Sequence, residues 1–122
     1  MRMNKKQFEK IVEQALDELP GDIAEALSNV YVVVEEWPSR EALQSTGVRN
    51  RYELLALYEG VPLTERSTGY AALPDRITIF QGPIEALSRT ETELREQIKK
   101  AVVHEIAHHF GIDDERIHQL GY

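Results

Sequence analysis

The chain has 122 residues and a formal net charge of −7, so it lacks the basic face that a nucleic-acid partner requires. It contains no cysteine, which excludes a disulfide framework, cysteine-ligated zinc and a thiol nucleophile. The sequence has neither the apolar run of a signal peptide nor the roughly 18 apolar residues of a membrane span. We therefore expect a single domain, 1–122, that lies in the cytoplasm and has no membrane partner.

Two helices and a buried strand are predicted in the first 40 residues. Apolar residues recur three and four positions apart over 8–19, which predicts an amphipathic helix that ends at Pro20-Gly21. Asp22 is suited to cap a short second helix. The β-branched and aromatic run at 30–34 predicts a buried strand that stops near Trp37-Pro38.

The middle of the chain contains a short helix, a weaker strand, a long loop and a clear strand. Ser39 is suited to cap a helical turn, and residues 53–58 favour a strand that ends in a turn. The stretch 59–75 is rich in Gly, Pro, Ser and Thr, and such long loops are often functional. Tyr70 within it is a candidate oxyanion stabiliser, although packing is the commoner role of a tyrosine. Residues 76–80 predict a strand that could pair with an extended peptide if it forms a sheet edge.

A long helix is predicted near the end of the sequence. Thr90 and Glu93 have the spacing of a capping box, and Gly111 is suited to end the helix as a C′ glycine. Its buried stripe is formed by Leu94, Ile98, Ala101, Val102 and Ile106. The three histidines that follow this stripe therefore lie in the last turns of the helix.

These histidines have the spacing of metal ligands. His104 and His108 are four residues apart, so both rings project from one helix face and can reach one zinc ion. Glu105, beside the first histidine, is suited to hydrogen-bond a metal-bound water but is poorly placed to bind the metal. A catalytic zinc needs a third protein ligand. Gly111 can reverse the chain and bring Asp114 back towards the metal.

The run 104–114 matches the pattern His-Glu-x-x-His-x-x-Gly-x-x-Asp and resembles the extended metzincin-type motif. With the stretches 57–66 and 75–80, it resembles the minimal zincin-like metallopeptidases of bacteria over most of the chain. The resemblance implies an α+β zincin-like fold with an N-terminal backing helix, a small mixed sheet and a C-terminal active-site helix. It also implies Zn²⁺ held by His104, His108 and Asp114, Glu105 as general base, and a peptide or protein substrate.

Some ligand assignments stay open at this point. His118, Asp113 and Glu115 are rival third ligands, and Asp113 could instead cap a last short helix. We expect His109 to be a surface or capping residue, because it lies about 140° around the helix from His104. Metzincins also carry a methionine downstream of the third ligand. Here the methionines are Met1 and Met3, so we expect metal binding to persist while peptidase efficiency and specificity differ.

Three alternatives to an ordinary peptidase follow from the same residues. The first is a zinc-binding interaction domain with weak or no turnover. The second is an anti-repressor-type regulatory protease, which shares His-Glu-x-x-His but takes its third ligand from elsewhere. A zinc-dependent single-strand endoribonuclease ranks lowest, because the chain is acidic and lacks the last histidine of that motif.

Overall fold

The computed structural model describes residues 2–60 and 75–122 as a small mixed sheet packed against helices. The strands are β1 (Val30–Glu35), β2 (Ala56–Glu59) and β3 (Asp75–Phe80). The helices are α1 (Lys5–Asp17), α2 (Gly21–Leu27), α3 (Arg40–Thr46), α4 (Gln81–Ala86), α5 (Glu91–Phe110) and α6 (Asp114–Gln119), with a 3₁₀ turn at Arg51–Glu53. The α+β class and the mixed sheet predicted from the sequence are confirmed.

The described strands have the order β1-β3-β2. β1 runs parallel to β3, and β2 runs antiparallel to it, with Ala56 opposite Ile79. The expectation that 76–80 could form a sheet edge is therefore wrong, because β3 is hydrogen-bonded on both sides. Among the strands that the structure describes, β1 and β2 are the edge strands, and the outer edge of β2 faces α5.

The core lies between the sheet and the helix pair α1 and α5. Ile77 and Ile79 of β3 are fully buried against it, because alternate residues of a strand face the same side. The α5 stripe predicted from its spacing is buried, and α1 packs along α5 as the expected backing helix. No helix within the described ranges is long and apolar enough to cross a membrane.

The caps predicted at Ser39 and Thr90 are confirmed, whereas the cap predicted at Asp22 is wrong. The reciprocal half of the Thr90–Glu93 capping box is also not formed, because Glu93 Oε2 accepts the Arg89 N–H. Ser39 and Thr90 accept hydrogen bonds from the N–H groups of Ala42 and Glu93, at 3.0 and 3.1 Å. The residue preceding α2 is Pro20, so Asp22 does not cap this helix. Asp22 instead accepts a hydrogen bond from Arg116 of α6 at 2.9 Å, a long-range pairing that local spacing does not indicate.

Helix α4 was not predicted, since Gln81-Gly82-Pro83 has the composition of a turn. Proline is nevertheless compatible with the first turn of a helix, where its missing N–H has no intrahelical partner. Gly82 is required by packing, because a Cβ there would come within 2.5 Å of the Trp37 ring. The tertiary contact with Trp37 therefore explains this glycine better than turn formation does.

Replacing Gly111 with alanine is expected to lower the free energy of unfolding by about 1–2 kcal/mol, the usual cost of a left-handed conformation with a side chain. Gly111 has φ +70° at the end of α5. Gly21 is the matched control, because it lies in α2 with open space around its Cβ position. We expect Gly21→Ala to be neutral or slightly stabilising. Urea unfolding of both variants checks this, and equal effects would contradict it.

Candidate metal centre

The last turns of α5 carry the motif histidines. His104 and Glu105 are half-buried, and His108 is exposed one turn further along. The helix ends at Gly111, whose N–H still donates to Ala107 O. Its left-handed backbone then turns the chain towards α6, and the Ile112 N–H also donates to Ala107 O, at 2.9 Å. The two imidazoles therefore lie one helical turn apart, a spacing at which both can bind one zinc ion.

The Glu105 carboxylate is anchored to the sheet. Its Oε2 accepts a hydrogen bond from the backbone N–H of Tyr58 at 3.1 Å, which joins α5 to the outer edge of β2. Burial raises the pKa of the Glu105 carboxyl above its usual value, and the Tyr58 N–H and the two histidines oppose that change. Tyr58 is a site residue that the sequence analysis missed, because only the pairing of distant segments places it here.

The end of the described chain folds back on His104. Helix α6 places Ile117 in the core, and Tyr122 N–H donates to Ile117 O at 3.1 Å. The main-chain oxygen of Tyr122 then lies 3.3 Å from His104 Nε2. The last turn after α6 is therefore in direct contact with the first motif histidine.

His109 has a more specific role than the expected surface or capping one. It is exposed, yet its ring stacks on Tyr58 with centroids 3.9 Å apart, and Phe110 contacts both rings edge-on. The Tyr58 hydroxyl donates to Asp75 Oδ2 at 2.7 Å. These contacts fix the end of α5 against β2 and the start of β3, beside Glu105.

The candidate third ligands lie on or before α6. Asp113 caps this helix by accepting the Arg116 N–H at 2.8 Å, as one reading of the sequence allowed. Asp114, Glu115 and His118 are exposed on its first turns. Tyr70 lies outside the described residues.

The donor set of α5 fits zinc in its chemistry, with two imidazoles at helical spacing and a carboxylate between them. Within residues 2–60 and 75–122, no three His, Asp or Glu side chains are grouped closely enough to hold a metal ion. The assignment of Asp114 therefore stays a prediction.

Comparison with known proteins places the chain in a family. A family model described as zincin-like metallopeptidase matches residues 27–122. A solved structure of a conserved hypothetical protein from Thermus thermophilus is similar in fold, with a TM-score of 0.51, 20% identity, and coverage of 88% of this chain and 94% of that one. No curated protein matches the sequence. This family model matches well over half of the chain, from the end of α2 to Tyr122. The chain therefore belongs to the zincin-like metallopeptidase family.

Proposed function

We propose that this protein is a zinc-dependent peptidase in which Glu105 is the general base. The observation that carries the proposal is the position of this carboxylate. It is half-buried next to His104 on α5, and one oxygen is held by Tyr58 N–H at the outer edge of β2. Family membership supports the same chemistry.

His104 and His108 would hold the zinc, and Asp114 would supply the third ligand. Zinc, when bound at such a site, acidifies a water and polarises a carbonyl oxygen. Glu105 takes a proton from the attacking water and passes it to the departing amine nitrogen. Because Oε2 accepts the Tyr58 N–H, we assign the proton transfer to Oε1.

The substrate would lie along β2. Phe80 N–H donates to Leu55 O at 2.9 Å, so Leu55 and Phe80 form a hydrogen-bonded pair. Hydrogen-bonding direction alternates along an antiparallel strand, so the backbone groups of Ala56 and Tyr58 face away from β3. An extended peptide could pair with Ala56 and reach Glu105. We therefore assign the pairing with an extended peptide, which was expected at 76–80, to β2.

A cleavage screen tests the proposal. Wild-type protein is incubated with an unstructured protein and a peptide library, with zinc and with a strong chelator, and products are read by mass spectrometry. We expect cleavage that the chelator abolishes. If no peptide bond is cut with zinc present, a zinc-binding interaction domain becomes the better function. Cleavage confined to a folded DNA-binding regulator would favour the anti-repressor-type protease.

Removing the Asp114 carboxylate is expected to weaken zinc affinity at least about tenfold, since a carboxylate is a good third zinc ligand. Asp113→Ala should leave zinc affinity nearly unchanged. Its own effect should be a loss of about 1 kcal/mol in unfolding free energy, because Asp113 caps α6. Zinc titrations and urea unfolding of both variants separate the two roles.

His118→Ala completes the series. It is expected to keep zinc affinity near that of wild type, and Asp114→His should retain the metal, because imidazole is also a zinc ligand. If His118→Ala loses zinc while Asp114→Ala keeps it, then the ligand set is His104, His108 and His118.

A further inference from the structure

The face of the sheet that is turned away from α5 carries a groove of its own. Successive residues of β3 point to opposite faces, and Ile77 and Ile79 face the core. The residues between them therefore face the other side, towards α3, where they line a cavity of about 350 Å³ with residues of β1, β2 and α3. We call this cavity the outer-face groove. Its polar and charged lining includes Glu35, Glu41, Glu59, Arg76 and Thr78.

The outer-face groove is acidic. Arg76 is held by Glu59 at 2.8 Å, and the carboxylates of Glu59 and Glu35 raise the pKa of the Arg76 guanidinium above its usual value. Neither Glu35 nor Glu41 makes an ion pair or a side-chain hydrogen bond with a residue in 2–60 or 75–122. Two carboxylates of the groove are therefore available to a positively charged ligand.

The same groove contains a buried hydroxyl. Thr78 lies in the middle of β3 and is only 4% exposed, yet it lines the groove. Its hydroxyl makes no hydrogen bond with any residue that the structure describes. A buried hydroxyl without a partner is unfavourable, so its partner must be water or a ligand in the groove. This side chain indicates a binding site independently of the carboxylates.

Strand register places Thr78 between two of the carboxylates. Val33 of β1 and Leu57 of β2 are directly opposite Thr78. Glu35 is two residues after Val33, and Glu59 is two residues after Leu57, so both glutamates are diagonal neighbours of Thr78 on one face. Diagonal neighbours lie roughly 7–8 Å apart, within reach of long side chains. One ligand can therefore contact the hydroxyl and a carboxylate together.

A cation on an apolar stem fits this lining. An ammonium group has three donors and no acceptor, so it can donate to Glu35, Glu41 and the Thr78 hydroxyl. The methylene stem of a lysine would lie along Leu57 and Phe80, since such stems pack well on apolar surface. An anion would instead be repelled by the carboxylates.

The surroundings of the groove favour a protein segment over a small amine. Glu35 and Glu41 are exposed, and exposed ion pairs contribute little to binding. A tighter ligand needs more contacts, and the same sheet face continues to Tyr31, which is opposite Arg76 and 59% exposed. Tyr31 and Glu35 are four residues apart on β1, roughly 13 Å. An extended basic segment can span that distance and place a second cation on the Tyr31 ring.

We propose that the outer-face groove docks a basic segment of a protein partner, with one lysine side chain held by Glu35, Glu41 and Thr78 and a further contact on Tyr31. The proposal is independent of the proposed peptidase function, because these residues lie on the sheet face turned away from α5.

A binding titration tests the groove. The probe is a short, blocked and fluorescent peptide that alternates lysine and threonine, and its anisotropy is followed at low salt with a chelator present to prevent cleavage. We expect wild type to bind it and to ignore the same peptide with glutamine in place of lysine. The double variant Glu35→Gln, Glu41→Gln should bind the lysine peptide at least about fivefold more weakly.

The matched control is the double variant Glu9→Gln, Glu13→Gln. It removes the same charge from exposed positions of α1 and should bind like wild type. Thr78→Val keeps the shape of the side chain and removes the hydroxyl, so it should weaken binding about threefold. Circular dichroism shows that each variant is folded. In the wild type, methyl NMR signals of Val33 and Leu57 should shift with the peptide, while those of Val102 in the core should not.

Three results would overturn the proposal. Equal weakening in the α1 control would show that the whole acidic chain attracts the peptide. Spermidine binding as tightly as the lysine peptide would make the ligand a small amine. Unshifted Val33 and Leu57 signals would place the peptide elsewhere. Because no cleavage is measured, none of these results depends on whether the protein is a peptidase.

Discussion

Replacing Glu105 with glutamine is expected to lower peptide hydrolysis at least about a hundredfold while zinc binding is kept, which is the usual scale for losing a general base. Glutamine keeps an oxygen that can accept the Tyr58 N–H, so the link between α5 and β2 should persist. What glutamine lacks is a carboxylate that can take a proton from water. Initial rates on a peptide from the cleavage screen, together with zinc content by elemental analysis, measure both quantities.

The control for this substitution is Glu96→Gln on the same helix. Glu96 is an exposed partner of Lys99, 3.0 Å away, and is remote from the motif. Glu96→Gln removes the same charge from α5 at a distance from the motif. Peptide hydrolysis by this variant should therefore stay close to the wild-type rate. If Glu105→Gln loses zinc as well as turnover, Glu105 is a ligand and not a base. If it keeps its turnover, another residue moves the proton.

Replacing both His104 and His108 with alanine is expected to abolish zinc binding, which in the wild type should be about one ion per chain. Two of the three proposed protein ligands would be missing, and a single carboxylate does not hold zinc against a competing chelator. Elemental analysis after dialysis against a weak chelator measures the metal retained. Circular dichroism shows whether the double variant is folded. We expect it to be folded, because neither ring is part of the main core.

His109→Ala is the matched control for the double variant, because it removes an adjacent imidazole from the same helix end. It should keep the zinc and lose some stability, since the His109 ring stacks on Tyr58. Full retention of zinc in the double variant would overturn the ligand assignment. Loss of zinc in His109→Ala with the protein still folded would place the site on the other side of α5.

Much of the site helix could be predicted from the sequence because its signals are local. The apolar spacing of α5, the Thr90 cap and the terminal Gly111 all act within a few residues, and each is confirmed. The spacing of His104 and His108 then fixes that both lie on one helix face. The family resemblance rested on this motif and on the stretches 57–66 and 75–80, and the family match confirms it.

The surroundings of that helix were decided by contacts between distant segments. No local pattern indicates that β3 is the central strand of the described sheet, that the outer edge of β2 faces α5, or that Tyr58 holds Glu105 from 47 positions away. The same holds for Asp22, which pairs with Arg116 of α6 and does not cap its own helix. Periodicity specifies which face of an element is apolar, whereas only the packed tertiary structure specifies which other element covers it and what space remains between them.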